Sequence, residues 1–327
     1  MSSSPIADLS YRNYDGPLAS TDMRWWVIAR TTILTSLKKR SIWVWMTFSS
    51  WYYIAMIFVL YFSDQLSQRA TAVAGGKAPA SIASTLIWKD QFLHGFSYGQ
   101  IWYLVVALIV GAGCIANDNR ANALLVYLSK PCTKLDYIMG KWIGVFLVML
   151  TIMTIPALMF FFYGAMSYRQ EGFFYDDYGM VLKLPLMLVL SAAIYASIIV
   201  CVSSMFRQGR LAGASVAGLY FISYFFTTVM YVIYVASQEE DGGRHQMPEA
   251  AHRLVGNLSY LSIDGLNIGM AKAVLGTSGS QQFGLPGGHN QFVFVPSLIP
   301  VLAIVAAVIV ACLLIAWSRI RAVEVVG

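Results

Sequence analysis

The sequence predicts an all-α polytopic membrane protein with six transmembrane helices and an N-terminal interfacial amphipathic helix. Three observations lead to this fold class. The 327 residues are 58% hydrophobic and 12% charged, and the mean hydropathy of +0.63 is far above that of soluble domains. The apolar residues fall into runs about as long as a bilayer is thick. Backbone that is exposed to lipid must satisfy its hydrogen bonds internally, which favours helices.

The N-terminal part of the chain is expected to lie outside the bilayer. Residues 1–21 are polar, lack the pattern of a cleavable signal peptide and are predicted to be flexible. Residues 22–40 predict an amphipathic helix whose tryptophans suit the headgroup level and whose Lys-Lys-Arg end suits anionic lipid. Its apolar face, at helical spacing, consists of Trp26, Ala29, Ile33 and Leu37.

Residues 41–327 are predicted to form one transmembrane domain of six spans. A charged loop, 117–141, separates the second and third spans, and a large outer loop, 237–291, separates the last two. Within that outer loop, residues 263–275 are expected to form a helix that rests on the outer surface of the bundle. The six spans are predicted at 42–62, 96–116, 142–167, 184–206, 211–236 and 292–318.

The distribution of Lys and Arg predicts the orientation. With cytoplasmic termini, the inner segments hold fourteen of the 22 Lys and Arg residues, and the longer outer loops hold eight. This bias favours both termini in the cytoplasm. We expect the membrane to be a bacterial inner membrane. The same bias explains the net charge of +6, because the basic loops face lipid headgroups, so we expect no nucleic-acid partner.

The six predicted spans contain no Asp, Glu, Lys, Arg or His. Ion-coupled transporters need ionisable groups near the midplane of the membrane, so transport powered by an ion gradient is disfavoured. We find no phosphate-binding loop, no catalytic triad and no metal-ligand spacing, which predicts that the chain itself is not an enzyme and binds no cofactor. The histidines are expected to be solvated in outer loops, at His94, His245, His252 and His289.

Hydroxyl-bearing side chains recur at helical spacing on the fourth and fifth predicted spans. They either line an amphipathic translocation path or pack and hydrogen-bond between helices, and the pattern leaves both interpretations open. The set consists of Tyr220, Tyr224, Thr227 and Tyr231 with Ser191 and Tyr195. A ridge of small residues that allows close helix contact consists of Gly209, Gly213 and Ala217.

The loop at 117–141 has the character of a docking element. Read as a helix, residues 119–128 place three leucines on one side and polar residues on the others, which suits a partner in the cytoplasm; a plain connection is the alternative. The residues that we expect to contact such a partner are Arg120, Asn122, Leu124, Leu125, Leu128, Ser129, Lys130 and Pro131.

This loop resembles the loop between the second and third spans of ABC type-two permeases, the membrane subunits of a class of ATP-driven exporters. The matching residues are NDNR at 117–120, LL at 124–125, SKP at 129–131 and YIMGK at 137–141. In that family the loop holds a coupling helix that sits in a groove of the ATPase subunit, and an N-terminal connecting helix also touches the ATPase. By the resemblance, the connecting-helix residues are Trp25, Trp26, Arg30, Lys38 and Lys39.

The resemblance implies a permease subunit that is energised by a separate ATPase, which binds ATP and Mg²⁺, and that pairs with a second copy or a related permease. Two other functions stay open. One is a membrane anchor or assembly scaffold that holds an extracytoplasmic partner without transport, and the other is a channel. A tyrosine-bearing path suits lipids, glycolipids, polyketides and peptides equally, so the sequence does not choose a substrate.

Overall fold

The computed structural model describes residues 23–74, 82–122, 132–169, 173, 178–240, 257–280 and 295–320. These residues form helices and no strand. Within the described residues, five helices are long and apolar enough to cross a membrane, or six if the bent pair at residues 40–72 counts as one span. The predicted all-α polytopic fold is confirmed, and the protein is a multi-pass membrane protein.

The helices fall in the following order. They are α1 Arg24–Leu37, α2 Arg40–Ser49, α3 Trp51–Ala74, α4 Trp88–Gly111, α5 Ala116–Arg120, α6 Lys134–Ser167, α7 Met180–Met205, α8 Gly209–Glu240, α9 Ile263–Leu275 and α10 Leu298–Arg319.

Helix α7 is the centre of the bundle. It packs against α4, α6, α8, α9 and α10, and it buries four serines, Ser191, Ser197, Ser203 and Ser204, along with its apolar side chains. Helices α8 and α10 lie at the periphery and leave large apolar side chains such as Ile222 and Ile299 exposed. Because lipid surrounds such helices, these apolar side chains face a solvent that suits them.

The first predicted span, 42–62, is two helices in the structure. Helices α2 and α3 meet at an angle of 48°, and the break falls at Ser50, whose hydroxyl donates to the carbonyl of Met46 at 2.7 Å. A Ser side chain that bonds back to its own helix competes with the backbone ladder and bends helices. On α2, Trp45 stacks on Trp102 of α4 with ring centroids 5.5 Å apart, which holds the bent segment against the bundle.

Helix α4 begins at Trp88, ahead of the predicted span at 96–116. Its first turns therefore carry Lys89, Asp90 and His94, and Asp90 and His94 are buried. The prediction that His94 lies solvated in an outer loop is wrong. The reason is tertiary: the hydroxyl of Thr277, which follows α9, donates to Asp90, so a polar segment of α4 is covered by a helix from a distant part of the chain.

Helix α9 has the predicted bounds but not the predicted position. Ser262 caps its start by accepting from the N–H of Gly265 at 2.9 Å, and Gly276 ends it with a φ of 67°. Its 13 residues span about 20 Å, too short to cross a bilayer. Twelve of them are buried among α4, α7, α8 and α10, so α9 is part of the core and does not rest on the outer surface.

Candidate coupling site

One turn, residues 112–115, separates α4 from α5, and Ser203 of α7 holds it. The Ser203 hydroxyl accepts from the backbone N–H groups of Ile115 at 3.1 Å and Ala116 at 3.0 Å, and it donates to the carbonyl of Ala112 at 2.9 Å. Ser203 is fully buried. Its hydroxyl therefore satisfies backbone groups that have lost their helical partners in a place without water, and it anchors the start of the 117–141 loop to the central helix.

Asp118 joins α5 to α6. Its Oδ2 accepts from the hydroxyl of Tyr137 at 2.7 Å and lies 2.8 Å from Nζ of Lys141. The Lys141 and Asp118 side chains are 12% and 22% exposed, so this ion pair is better shielded than an ordinary surface pair. The amide of Asn119 also donates to the carbonyl of Phe206 at 3.4 Å. Helix α5 is thus tied both to α6 and to the end of α7.

Helix α1 lies directly on the first turns of α6. A Cβ built on Gly140 would be 2.6 Å from the carbonyl oxygen of Trp25 and 2.7 Å from Cβ of Ile28. A Cβ on Gly144 would be 2.7 Å from Cβ of Thr32. Two glycines four residues apart therefore let the two backbones meet, the small-residue contact that membrane helices use. The pair fixes α1 to the same part of α6 that holds Asp118.

The small-residue ridge on α8 lies at the α4–α5 turn. A Cβ on Gly209 would come within 2.9 Å of Cα of Gly113, and a Cβ on Gly213 would be 3.4 Å from Cβ of Ala112. Ala217, one turn further, is half-buried. Four helices, α1, α4, α6 and α8, therefore converge around α5.

The structure describes the predicted docking residues up to position 122 and not those after it. Arg120 is the last residue of α5, and Asn122 follows it in a turn with a φ of 50°; both side chains are exposed. The unbroken helix predicted over 119–128 is wrong, because the left-handed backbone at Asn122 ends the helix there. Six further predicted residues lie outside the described ones: Leu124, Leu125, Leu128, Ser129, Lys130 and Pro131.

The connecting-helix residues lie on or next to α1. Arg30, Lys38 and Lys39 are exposed, and Trp25 and Trp26 are partly exposed. Nζ of Lys39 donates to the carbonyl of Ile109 in α4 at 3.0 Å.

The buried face of α1 differs from the predicted apolar face. It contains Ile28, Ala29 and Ser36, whereas Trp26 is 39% exposed. The glycines of α6 bring its backbone onto the side of α1 that carries Trp25, Ile28 and Thr32, so that side lies inward. The structure thus has a helix at the predicted place. Ala29 belongs to both faces and Ile33 packs against the core, but the inward side is rotated away from Trp26.

A family model for ABC-2 family transporter proteins matches residues 23–317, which is most of the chain. The chain belongs to the ABC-2 family. This ABC-2 chain is therefore a transmembrane permease component of an ABC transporter, and the family pairs such components with an ABC ATPase subunit. None of the curated proteins compared with it matches its sequence.

In this ABC-2 permease, the residues proposed for a translocation path are held in polar contacts inside the chain. The Tyr195 hydroxyl donates to Oε1 of Gln100 at 2.7 Å, and the Ser191 hydroxyl donates to Oδ1 of Asn267 at 2.6 Å. The Tyr220 hydroxyl donates to Oδ1 of Asp264 at 3.3 Å. These bonds connect α4, α7, α8 and α9 to one another.

Further along α8, the path residues are less enclosed or make local bonds. Tyr224 is half-buried, and the Thr227 hydroxyl donates to the Tyr224 carbonyl at 3.0 Å within its own helix. The side chain of Tyr231 lies outside the described residues. The lining role of the whole set stays a prediction.

Sequence reasoning missed two charged residues of α9, Asp264 and Lys272, which are both buried. Burial raises the pKa of Asp264 to about 7, and the hydrogen bond from Tyr220 offsets a part of that rise. Burial lowers the pKa of Lys272 to about 8, which the nearby charge of Asp90 partly offsets. The two residues are eight positions apart in sequence, which puts them on similar sides of α9 about two turns apart. This spacing was the signal by which sequence reasoning could have found them.

We expect Asp264 to make the stability of the ABC-2 permease depend on pH. The folded pKa of about 7 lies above the ordinary aspartate pKa of about 4, so the stabilising protonated form is complete at low pH and is lost as pH rises through 7. Asp264→Asn should flatten the fall in melting temperature between pH 5 and 7, a range in which Lys272 stays charged. Over these two pH units the effect has an upper bound of about 3 kcal/mol.

The measurement is the difference in melting temperature between wild type and variant at each pH, in the same detergent. An Asp264→Asn profile parallel to the wild-type one would contradict the role given to Asp264.

Proposed function

We propose that this permease is the membrane-spanning half of an ATP-driven exporter in a bacterial inner membrane, with both termini in the cytoplasm. A separate ATPase binds ATP and Mg²⁺ and docks on the 117–141 loop and on α1. The permease itself catalyses no reaction. A second copy, or a related permease, completes the transporter, and the substrate is an amphiphile that crosses between the two.

The observation that carries this proposal is the convergence of both docking elements on one part of α6. Helix α5 is tied to Tyr137 and Lys141 through Asp118, and α1 is packed on Gly140 and Gly144. These residues lie within the first three turns of α6, which continues to Ser167.

Helix α6 has the length to carry a movement through the membrane. Its 34 residues extend about 50 Å as one element, more than the thickness of the hydrocarbon core. It packs along α7, the central helix. A displacement of α5 and α1 by the ATPase would therefore shift α6 as a unit, and through α7 it would reach the polar contacts at Tyr195, Ser191 and Asn267.

The exposed side of α8 supports a second permease copy as partner. Leu219, Ile222 and Phe226 project from it beside Ser215, Ser223 and Gly218 and border a shallow groove. A Cβ on Gly218 would meet nothing within 4 Å. Alternating large and small residues of this kind let two membrane helices interlock.

Leu124→Asp tests the docking. We expect the charged side chain to abolish the apolar contact with the ATPase, so that the ATPase no longer co-purifies with the permease and ATP turnover by the complex falls at least about tenfold. The folded spans should be unaffected, as judged by the melting temperature. The measurement is the ratio of the two subunits after affinity purification of the tagged permease.

Leu261→Asp is the control, because Leu261 is exposed next to α9, on the opposite side of the membrane in this proposal. It should keep the wild-type subunit ratio. A Leu124→Asp permease that retains the ATPase and normal ATP turnover would contradict the docking role of the loop. Loss of an extracytoplasmic partner by Leu261→Asp, with no ATPase found in the wild type, would favour the scaffold function.

A further inference from the structure

A cavity of about 1170 Å³ opens where α1, α4, α5, α6 and α8 meet. The cavity lies beside the coupling site, and the side chains that form that site leave it open. The lining residues come from the end of α1, the last turns of α4, the α4–α5 turn, the start of α6 and the start of α8. Small-molecule sites in proteins commonly have volumes of about 300–1,000 Å³, so this cavity has room for a ligand of substantial size.

The lining carries an excess of positive charge. Four basic side chains, Lys39, Arg120, Lys141 and Arg210, line the cavity, and among its lining residues the only acidic one is Asp118. The charge of Asp118 is already matched by Lys141 at 2.8 Å. The Lys39, Arg120 and Arg210 cations are therefore left without a counter-charge in the lining, and their exposed positions let them reach a ligand at the rim.

The start of α8 adds backbone donors. The first hydrogen bond of this helix joins the N–H of Ala212 to the carbonyl of Gln208 at 3.1 Å. The N–H groups of the residues before Ala212, Gly209 and Arg210 among them, precede the helical ladder and have no helical acceptor. Both residues line the cavity. These backbone donors and the positive end of the helix dipole attract an anion, as the arginines do.

Another part of the lining is apolar and belongs to the membrane spans. Leu108, Ile109 and Val110 lie in the last turn of α4, and Gly213 and Ala214 lie in the second turn of α8. The lining thus combines basic side chains near the ends of two spans with apolar side chains from within those spans. This combination matches an amphiphile whose anionic head lies at the membrane surface and whose chain lies in the hydrocarbon.

We propose that this cavity binds the phosphate-bearing headgroup of an amphiphile that enters from the adjacent leaflet. Arg120 and Arg210 hold the phosphate oxygens in charge-assisted, bidentate hydrogen bonds, which the planar guanidinium favours over other cations. Lys39 adds a third cation, and the chain of the amphiphile lies along Leu108 and Val110. The proposal concerns the permease alone and stands whether or not ATP drives transport.

The test measures binding of phosphatidic acid to the purified full-length chain in neutral detergent micelles without the ATPase. Native mass spectrometry counts the bound lipid, and the melting temperature follows the same titration. Diacylglycerol supplies the same chains without phosphate, and inorganic phosphate supplies the anion without chains. We expect phosphatidic acid to bind at least about tenfold more tightly than either of them.

Arg210→Gln is the decisive variant, because Arg210 lies outside the predicted ATPase-docking residues. It should weaken phosphatidic acid binding about tenfold, and Arg120→Gln should do the same. Arg319→Gln is the matched control at an exposed arginine on another helix, α10, and should bind as the wild type does. Equal affinities of wild type and Arg210→Gln would overturn the proposal.

The remaining outcomes are also decisive. Binding of diacylglycerol as tight as that of phosphatidic acid would overturn the role of the phosphate, and equally tight binding of inorganic phosphate would overturn the role of the chain. Lipid extracted from wild type purified out of native membranes identifies the source: a bulk phospholipid indicates a membrane lipid, and a rare phosphorylated amphiphile indicates the exported substrate. Either finding supports the proposal if Arg210→Gln loses that lipid.

Discussion

Gly140→Ala is expected to separate α1 from α6 and so to abolish the coupling of ATP hydrolysis to movement of the spans. The added methyl group would lie 2.6 Å from the Trp25 carbonyl oxygen and 2.7 Å from Cβ of Ile28. Both are backbone or backbone-proximal atoms that cannot rotate away, so the whole of α1 must shift. Overpacking of this kind costs about 1–3 kcal/mol, and we expect the melting temperature to fall by roughly 5 °C.

Gly144→Ala should behave in the same way, because its methyl group would lie 2.7 Å from Cβ of Thr32. The measurements are the melting temperature of the purified permease and the ATP turnover of its complex with the ATPase.

Gly218→Ala is the control for the melting temperature of the single permease chain only, because Gly218 borders the groove proposed for a second permease copy. It is the same substitution inside a long helix, yet the new methyl group would meet nothing within 4 Å. Because alanine has a higher helix propensity than glycine by about 1 kcal/mol, this control should match or exceed the wild-type melting temperature. Gly140→Ala with wild-type stability and coupling would show that the contact of α1 with α6 is not part of the mechanism.

Ser203→Ala is expected to release the α4–α5 turn. It removes the acceptor for the N–H groups of Ile115 and Ala116 and the donor to the Ala112 carbonyl, and all three lie where the chain is buried. Each orphaned group costs about 1–3 kcal/mol. Hydrogen exchange of the amides of Ile115 and Ala116 should therefore speed up by at least about tenfold, with loss of ATPase docking at the loop that follows.

Ser204→Ala is the neighbouring control. Ser204 is also buried, but its hydroxyl donates only to the Cys201 carbonyl of its own helix at 2.6 Å. It should leave hydrogen exchange at residues 112–120 unchanged. If the amides of residues 112–120 exchange hydrogen no faster in the Ser203→Ala variant than in the Ser204→Ala variant, the turn is held by something other than the Ser203 hydroxyl.

The parts of the fold that depend on composition and periodicity could be predicted from the sequence. The all-helical membrane class and the bounds of α9 follow from runs of apolar residues and from turn residues at their ends. The burial of α9 could not be predicted, because Asp264, Asn267 and Lys272 make its pattern polar. Their partners, Tyr220 and Ser191, are 44 and 76 residues away in sequence, and no local pattern brings them together.

The α1–α6 contact shows a different limit. Gly140 and Gly144 form a small-xxx-small pattern that could have been found, but a boundary drawn between loop and span at residues 141–142 divided it. In the structure α6 starts at Lys134 and runs through that boundary without a break. Periodicity then selected a face of α1 that includes Trp26, although the contact across the glycines buries Ile28, Ala29 and Ser36.

The central claim is that this permease works with a separate ATPase, and purification of the tagged chain from native membranes in mild detergent tests it most directly. We predict that a nucleotide-binding subunit co-purifies in equal amount with the permease, that the complex hydrolyses ATP, and that cross-links join the subunit to residues 117–141. Absence of such a subunit after cross-linking, or cross-links confined to the opposite side of the membrane, would contradict the claim.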